Sequence, residues 1–283
     1  MATATSQTPV GQLLREWRER RRLSQQELAL DAGISARHLS FIETGRSRPG
    51  RGVLLRVVEH LQIPLRERNR LLLAAGHAPA FPERSLGDRE LAPVRNALDR
   101  ILTAHEPYPA MAIDRRWDVV ASNSAMGVLA GWLDEDLLVP PVNALEVGFH
   151  PRGLAPWIVN LAEVRAYFLE RIERQIAMTA DDRLVELREM VADSSAPGRQ
   201  ELPPDEAAAR EILAPLRLRT AEGQELSFLG TVANFGFAGE VTTSELSIEL
   251  LFPADRATAE FFEGAHRDGR DRIPATRGGD GHE

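Results

Sequence analysis

Residues 9–77 carry apolar side chains at helical spacing, in five short blocks separated by capping and turn residues. Ser24 and Ser35, whose hydroxyl groups suit helix N-termini, precede the second and third blocks. Gly33 and Gly45 follow these two blocks and favour the backbone turn that ends a helix. The pattern predicts one compact domain of five helices.

Beyond residue 88 the spacing of the apolar residues changes. A helix begins near Leu91, and the segments Ala110–Asp114 and Trp117–Ser122 then predict two strands joined by a tight turn. A long apolar helix face runs from Trp157 to Ile176, and Asp181–Val191 predicts a further helix.

The last third of the chain returns to strand-like alternation, at Leu216–Arg219, Leu226–Phe235 and Glu245–Leu250. Strict alternation is typical of a sheet with one wet face and one buried face. Strands, then helices, then strands predict an antiparallel sheet with helices on one face. The expected fold class is therefore α+β, with an all-α N-terminal domain and a mixed C-terminal domain.

Polar, proline-containing and glycine-rich segments set the expected domain boundaries. We expect a disordered arm at 1–8, the helical domain at 9–77 and a stiff linker at 78–88. The mixed domain then covers 89–262, and a glycine-rich and charged tail at 263–283 is expected to be disordered.

Charge is segregated along the chain. The net charge is −8, but residues 1–84 hold 14 Arg against 8 acidic residues, whereas the remainder holds 20 Arg against 34 acidic residues. A basic domain joined to an acidic one suggests that the basic part contacts an anionic polymer.

Composition and motifs exclude several classes of protein. The chain has no cysteine and no lysine, which excludes disulfides, thiolate metal sites and Schiff-base lysines. No apolar run is long enough for a membrane span and no signal peptide is evident, so we expect a cytoplasmic protein without membrane contact. The common catalytic and nucleotide-binding motifs are missing. We therefore expect neither enzyme activity nor a cofactor, other than a bound apolar ligand.

The segment from Gln25 to Pro49 resembles the helix-turn-helix of the phage-repressor-like XRE family. The residues that carry the resemblance are Gln25–Ala29, Ala32–Ser35 and Leu39–Pro49. The resemblance implies that the second helix, Ser35–Thr44, lies in the major groove of double-stranded DNA with its N-terminal residues at the base edges.

The same resemblance implies roles for individual residues. Arg37 is the candidate for reading a guanine through two hydrogen bonds. Ala36 and Phe41 are candidates for apolar contact with thymine methyl groups, and Gln25 is expected on a phosphate. The remaining candidates for phosphate or base contacts are Ser35, His38, Ser40, Arg46, Ser47 and Arg48.

Some charged residues also have a structural interpretation. The resemblance implies that Arg18 and Glu43 pair between two helices, so we predict a structural role for Glu43. The arginines at 20–22 either contact phosphate or form a solvated helix end that the helix dipole favours. His38 has no partner at metal-ligand spacing, and we expect no metal there.

Residues 88–262 resemble the MmyB-like ligand-binding domain of transcription regulators, a PAS-like sheet. The residues that carry this resemblance are Asp114–Asn123, Gly153–Asn160 and Glu245–Pro253. It implies a one-component regulator, in which a small molecule in the second domain alters how the first domain binds its DNA operator. Some members of this family hold a fatty acyl chain, which makes a fatty acid one implied ligand.

The apolar residues of this domain enclose either a solid core or a pocket, and the pattern alone does not choose between them. Burial of an acyl chain would supply most of the affinity, at about 0.8 kcal/mol per CH₂. His150 and Arg152 are the candidates for a carboxylate group. The candidates for lining the chain are Trp157, Phe168, Phe228 and Phe235.

Three functions remain open at this point. The first is a ligand-responsive transcription regulator that binds a two-fold operator as a homodimer. The second is a DNA-binding regulator whose C-terminal domain is a ligand-free dimerisation or protein-interaction module. The third is an enzyme that carries a DNA-binding domain.

Overall fold

Five helices form the N-terminal part of the computed structural model, which describes residues 9–194, 215–236 and 239–271. The helices are α1 (Val10–Arg20), α2 (Gln25–Asp31), α3 (Ala36–Glu43), α4 (Arg51–His60) and α5 (Leu65–Ala74). The predicted five-helix domain is therefore confirmed. The arm at 1–8 lies outside the described residues.

Local capping explains where α2 and α3 begin. The Ser24 hydroxyl accepts a hydrogen bond from the Glu27 backbone N–H, and the Glu27 carboxylate accepts one from the Ser24 N–H in return. These bonds hold the pKa of Glu27 below its usual range. The Ser35 hydroxyl accepts a hydrogen bond from the His38 N–H at 3.1 Å. Between the two helices Gly33 adopts φ +64°, a conformation that costs glycine little.

A single apolar core joins the five helices. Its members are aliphatic or small side chains together with one tryptophan, all at most 4% exposed. Among the largest are Leu14, Trp17, Leu39, Ile42, Leu54 and Leu72. This core fixes α3 against α1 and α2, so the outer face of α3 is presented on a rigid support.

Helix α1 approaches α3 closely at Gly11. A Cβ atom at this position would overlap the carbonyl oxygen of Ile42 and lie 2.8 Å from that of Glu43. We therefore expect Gly11→Ala to lower the free energy of unfolding by about 1–3 kcal/mol, the range for overpacking a close contact. Chemical denaturation of the full chain measures this.

Gly52→Ala provides the matched control, because a Cβ there meets only the end of the Arg56 side chain, at 4.0 Å. Gly52 lies inside α4, where alanine is the better helix former, so this variant should be as stable as the parent or more stable. An equal loss of stability in both variants would contradict the close contact at Gly11.

The compact unit that contains these helices extends beyond the predicted domain at 9–77. It includes residues up to Leu91, and also Arg171–Val185 and Phe235–Glu245. We call it the N-terminal unit. The predicted linker at 78–88 is part of it, because the Asn69 side chain bonds the backbone of Ala80 and Phe81. The prolines and the glycine of this segment predicted a linker, but composition carries no signal of the contacts that Asn69 makes with it.

A short helix far along the chain belongs to the same N-terminal unit. This helix, α11 (Val241–Ser244), packs against α5. Arg66 on α5 donates two hydrogen bonds to the Glu245 carboxylate, both at 2.9 Å, and also pairs with Glu83. Glu245, and to a lesser extent Glu83, raises the pKa of Arg66. The Val241 N–H donates to the Pro82 carbonyl at 2.9 Å. These contacts form what we call the Arg66 clasp.

The remaining described residues form the C-terminal unit, Ala92–Glu170, Glu186–Asn234 and Leu246 onward. The helices that lie wholly or partly in it are α6 (Ala92–Ala104), α7 (Met126–Ala130), α8 (Ala144–Phe149), α9 (Leu161–Thr179), α10 (Asp182–Asp193) and α12 (Arg256–Asp271). Three-residue and four-residue 3₁₀ turns occur at Arg89–Leu91, Glu135–Leu138 and Ala155–Trp157.

Five strands form one antiparallel sheet in this unit, in the order β2-β1-β5-β4-β3. The strands are β1 (Ala110–Ile113), β2 (Val119–Ser122), β3 (Leu216–Arg219), β4 (Glu225–Asn234) and β5 (Ser247–Pro253). Helix α6 packs against β1 and β2, and α12 packs against β4 and β5. The predicted α+β class with an antiparallel sheet is confirmed.

Two expectations about helices in this unit need correction. The helix predicted from Trp157 begins instead at Leu161, because Ile158 and Val159 pair with β3 and so leave the helical path. The tail expected to be disordered from 263 continues α12 as far as Asp271. Phe262, only 1% exposed, anchors that helix, and His266 Nδ1 lies 3.6 Å from the Glu106 carboxylate. Residues 272–283 lie outside the described residues.

Candidate DNA-binding surface and ligand cavity

The exposed side of α3 carries a stack of two arginines on one aromatic ring. The Arg37 guanidinium lies 5.3 Å from the centre of the Phe41 ring, and the Arg46 guanidinium lies 5.9 Å from it. Both arginines are exposed and Phe41 is half-buried. Cation–π contacts of this kind limit the positions of the two guanidinium groups while leaving their N–H donors accessible.

The inner end of α3 is held by a buried ion pair. Arg18 donates to both oxygens of the Glu43 carboxylate, at 2.7 and 2.9 Å, and to the Leu23 carbonyl at 2.8 Å. The pair predicted between these helices is therefore confirmed. Gln25 Nε2 also donates to Glu43, at 2.8 Å, so the Gln25 side chain is turned toward this pair. The bond with Glu43 raises the pKa of Arg18, which stays charged.

The other predicted DNA contacts occupy varied surroundings. Ala36 packs partly against the apolar core, and the Ser35 hydroxyl serves as the N-cap of α3. His38 and Ser40 are half-buried on α3. Arg48, exposed, lies beside Gly76 at the end of α5.

The loop after α3 continues the exposed surface. The Ser47 N–H donates to the Phe41 carbonyl at 3.0 Å, which places Ser47 beside the last turn of α3. Arg37, Phe41, Arg46, Ser47 and Arg48 therefore belong to one continuous stretch of helix and loop, which we call the α3 surface.

Of the arginines at 20–22, Arg21 has a structural role. Its Nε donates to the Leu61 carbonyl at 3.0 Å, and burial lowers its pKa. The guanidinium groups of Arg20 and Arg21 lie 5.2 and 5.3 Å from the Trp17 ring centre. Arg21 therefore tightens the end of α1 against the C-terminal end of α4.

The C-terminal unit contains a cavity of about 130 Å³. It lies between β1, β3 and β5 on one side and α7, α8 and the start of α9 on the other. Apolar side chains make up nearly all of its lining, with Trp117, Phe149 and Phe168 as the aromatic members. Glu249 is the one charged residue among the described residues that line it.

Of the six predicted ligand contacts, the cavity includes Phe168. Phe228 is fully buried and packs against Phe262, with the ring centres 5.5 Å apart, so it belongs to the solid core. Trp157 stacks on Trp132, at 5.4 Å. Phe235 is half-buried in the N-terminal unit. None of these three lines the cavity.

The two predicted carboxylate-binding residues lie elsewhere. His150 Nδ1 accepts a hydrogen bond from the Arg152 backbone N–H at 3.0 Å. The Arg152 guanidinium is exposed and pairs with Asp134 at 2.8 Å. Neither residue lines the cavity. Their position next to the Gly153–Asn160 motif was therefore no guide to the direction of their side chains.

Sequence reasoning missed Glu249 and Met111. They are direct partners across β1 and β5, so both side chains stand on the same face of the sheet, which also carries Leu251. The alternation in Glu245–Leu250 predicted this face to be wet. Helices α7, α8 and α9 cover the part of this face that lines the cavity, although Val232, the partner of Glu249 on β4, is 40% exposed. The polar residue at position 249 was the signal that could have located Glu249.

The described part of the chain also bears on two other kinds of site. No cluster of three or more His, Asp or Glu side chains there could hold a metal ion. No described helix is both long enough and apolar enough to cross a membrane.

Comparison with known proteins identifies both parts of the chain. Residues 94–264 match the MmyB-like transcription regulator ligand binding domain, and residues 9–71 match a Helix-turn-helix domain. A curated relative is the Uncharacterized HTH-type transcriptional regulator RghRB of Bacillus subtilis (strain 168), which is 40% identical over 77 residues. That match covers 27% of this chain and 53% of the relative, so this chain spans about half the length of that protein.

Solved structures give a weaker likeness. A Rhodobacter sphaeroides LOV protein is 15% identical with a TM-score of 0.30, covering 65% of this chain and 85% of that chain. An RNA-binding Light-Oxygen-Voltage receptor is 14% identical with a TM-score of 0.24, covering 93% of this chain and 64% of that chain. Likenesses of this size bear neither on the ligand nor on the function.

Proposed function

We propose that this chain, which belongs to the MmyB-like transcription regulators, changes its affinity for a DNA operator when a small apolar molecule occupies its cavity. The chain is a DNA-binding regulator with a ligand-binding domain. The cavity of about 130 Å³, with its nearly apolar lining, is the observation that supports regulation by a small apolar molecule. Binding, with no chemical step, accounts for this function.

The α3 surface is the proposed contact with DNA. Its exposed guanidinium groups can donate hydrogen bonds to guanine edges and to phosphates. The Arg18–Glu43 pair fixes the helix that carries them. One α3 helix reads one half-site, so we propose a homodimer on a two-fold operator with half-sites about one helical turn apart. DNA as the target is also the reason to place the protein in the cytoplasm.

Arg37 and Arg48 should affect DNA binding in different ways. Arg37→Ala should reduce the preference for the operator over unrelated DNA by about 1–3 kcal/mol, because a guanidinium that bonds a base edge carries sequence information. Arg48→Ala should weaken binding to all DNA alike and reduce the slope of log K against log salt by about one unit. Fluorescence anisotropy with labelled duplexes, at several salt concentrations, measures both quantities.

Arg70→Ala is the control for the loss of one positive charge. Arg70 is exposed on α5, is not part of the α3 surface and pairs with Glu67. It should change neither specificity nor salt slope appreciably. If Arg37→Ala keeps full specificity, the proposed orientation of α3 on DNA is wrong.

The proposed ligand class is broader than a fatty acid. An acyl chain would suit the apolar lining, but the arginine and histidine expected at its carboxylate do not line the cavity. Native mass spectrometry of the freshly purified protein tests for a retained ligand. A released apolar molecule that shifts operator affinity would support the proposal. A folded protein that binds DNA but takes up no apolar molecule would favour the ligand-free interaction module instead.

A further inference from the structure

The spacing of two side chains on α3 links the bases that they can reach. Arg37 and Phe41 lie one helical turn apart, so both emerge from the same side of the helix. The Arg37 guanidinium lies 5.3 Å from the centre of the Phe41 ring. Successive base pairs of B-DNA are about 3.4 Å apart along the axis. A base edge bonded by Arg37 and a group touched by Phe41 therefore lie in the same base pair or in neighbouring ones.

The chemistry of the two side chains limits what those groups are. A guanidinium bonds both acceptors of a guanine edge, O6 and N7, in the major groove. A phenylalanine ring has neither donor nor acceptor, and the apolar group of the major groove is the C5 methyl of thymine. The cytosine paired with the guanine lacks this methyl in unmodified DNA. The methyl that Phe41 meets is therefore that of the next base pair.

Phe41 also holds the arginine that reads the guanine. The guanidinium groups of Arg37 and Arg46 lie over its ring, at 5.3 and 5.9 Å from the centre, and both arginines are exposed. Cation–π contacts restrict where each guanidinium points. The ring itself is half-buried, which leaves part of it accessible to a methyl group. Phe41 thus combines an apolar base contact with the positioning of Arg37.

We propose that each operator half-site contains a guanine and, in the neighbouring base pair, a pyrimidine with a C5 methyl group, which Arg37 and Phe41 read together. Thymine supplies this methyl in unmodified DNA. Because 5-methylcytosine carries the same methyl on the same carbon, cytosine methylation at this position strengthens binding. This inference rests on the proposed function, since it names the DNA that the α3 surface reads.

Selection of bound duplexes from a random library with the full chain gives the sequence on which the test is made. The enriched duplexes should contain a guanine beside a thymine in each half-site. Four duplexes are then synthesised that differ only at that pyrimidine: thymine against uracil, both paired with adenine, and 5-methylcytosine against cytosine, both paired with guanine. Fluorescence anisotropy should show about fourfold tighter binding of the methylated base in each pair, the effect of burying one methyl group.

Three variants assign the methyl effect to its residue. Phe41→Ala should bind the thymine and uracil duplexes alike, whereas Phe41→Leu should keep the methyl effect because its side chain is still apolar. Leu30→Ala is the matched control, since Leu30 is an apolar residue, 81% exposed, on α2 and not on the α3 surface. It should keep the full methyl effect.

Replacement of the guanine by 7-deazaguanine, which lacks the N7 acceptor, tests the positioning role of Phe41. The parent should bind this duplex about tenfold more weakly, because it loses a hydrogen bond from a charged donor. Phe41→Leu should reduce that ratio to about threefold, since the cation–π contact that holds Arg37 is lost. Arg37→Ala should bring the ratio to about one.

Three results would overturn the inference: equal binding of thymine and uracil duplexes by the parent, a methyl effect that folded Phe41→Ala keeps or that Leu30→Ala loses equally, or enriched sequences without a thymine beside a guanine. The first needs no variant, so it holds even if Phe41→Ala does not fold. If the enriched sequence lacks this step but its affinity responds to an apolar molecule, the base assignment is wrong and the regulator stands. If the folded full chain enriches no sequence, both proposals fail.

Discussion

Glu43→Ala should lower the free energy of unfolding of the N-terminal unit by about 3–5 kcal/mol, the cost of leaving a buried charge without its partner. The Arg18 side chain is 10% exposed and that of Glu43 only 1% exposed. The substitution removes three hydrogen bonds at once, two from Arg18 and one from Gln25. Hydrogen exchange measured by mass spectrometry on the full chain localises the loss to α1–α3.

Two companion variants separate charge burial from charge count. Glu19→Ala removes an exposed carboxylate near the same arginine, 3.7 Å from Arg18, and should cost at most about 1 kcal/mol. The double variant Arg18→Met with Glu43→Leu removes both buried charges, so it should recover most of the stability lost by Glu43→Ala. If Glu43→Ala costs no more than Glu19→Ala, the buried pair does not hold α3.

Phe228→Ala should lower the free energy of unfolding of the C-terminal unit by about 3–5 kcal/mol, the usual cost of truncating a buried aromatic residue. Phe228 is fully buried, and its ring meets that of Phe262 on α12. The substitution leaves a void between β4 and the helix. Thermal unfolding followed by near-ultraviolet circular dichroism measures the loss.

The same variant tests whether Phe228 belongs to the core or to the ligand cavity. At a temperature where it stays folded, Phe228→Ala should retain in native mass spectrometry any apolar molecule that the parent retains, because Phe228 does not line the cavity. Phe252→Ala is the control for stability, since Phe252 lies on the same sheet but is 40% exposed, and should cost much less. Loss of that molecule without loss of stability would make Phe228 a ligand contact.

Local rules explain why so much of the N-terminal unit followed from the sequence. A serine cap, a glycine turn and a helical stripe each act within a few residues, so Ser24, Gly33 and Ser35 located α2 and α3. The strand-like segments likewise located β1 to β4, whereas β5 begins at Ser247 and not at the predicted Glu245, which is the C-cap residue of α11 instead. Such signals depend on neighbours along the chain and not on what packs above them.

The ligand cavity depended on contacts that no local pattern contains. Phe168 and Phe228 both lie in apolar patterns of the sequence. The packing of α12 against β4 makes Phe228 a core residue, and the packing of α8 beside α9 makes Phe168 part of the cavity lining. Glu249 shows the converse case. Its polar position in β5 predicted a solvent-exposed side chain. Because helices cover this part of the sheet, Glu249 is instead the charged residue in the lining of an apolar cavity.

The Arg66 clasp bears on how this protein can be divided or recombined. Glu245 and α11 belong to the N-terminal unit although they lie between β4 and β5 in the sequence. A gene fragment ending at residue 77 would encode all five helices but neither Glu83 nor Glu245, and Arg66 would lose both carboxylates. If DNA-binding domains are exchanged between regulators by simple end-to-end fusion, the DNA-binding domain of this protein is therefore left incomplete. A working chimera has to carry the distant segment with it.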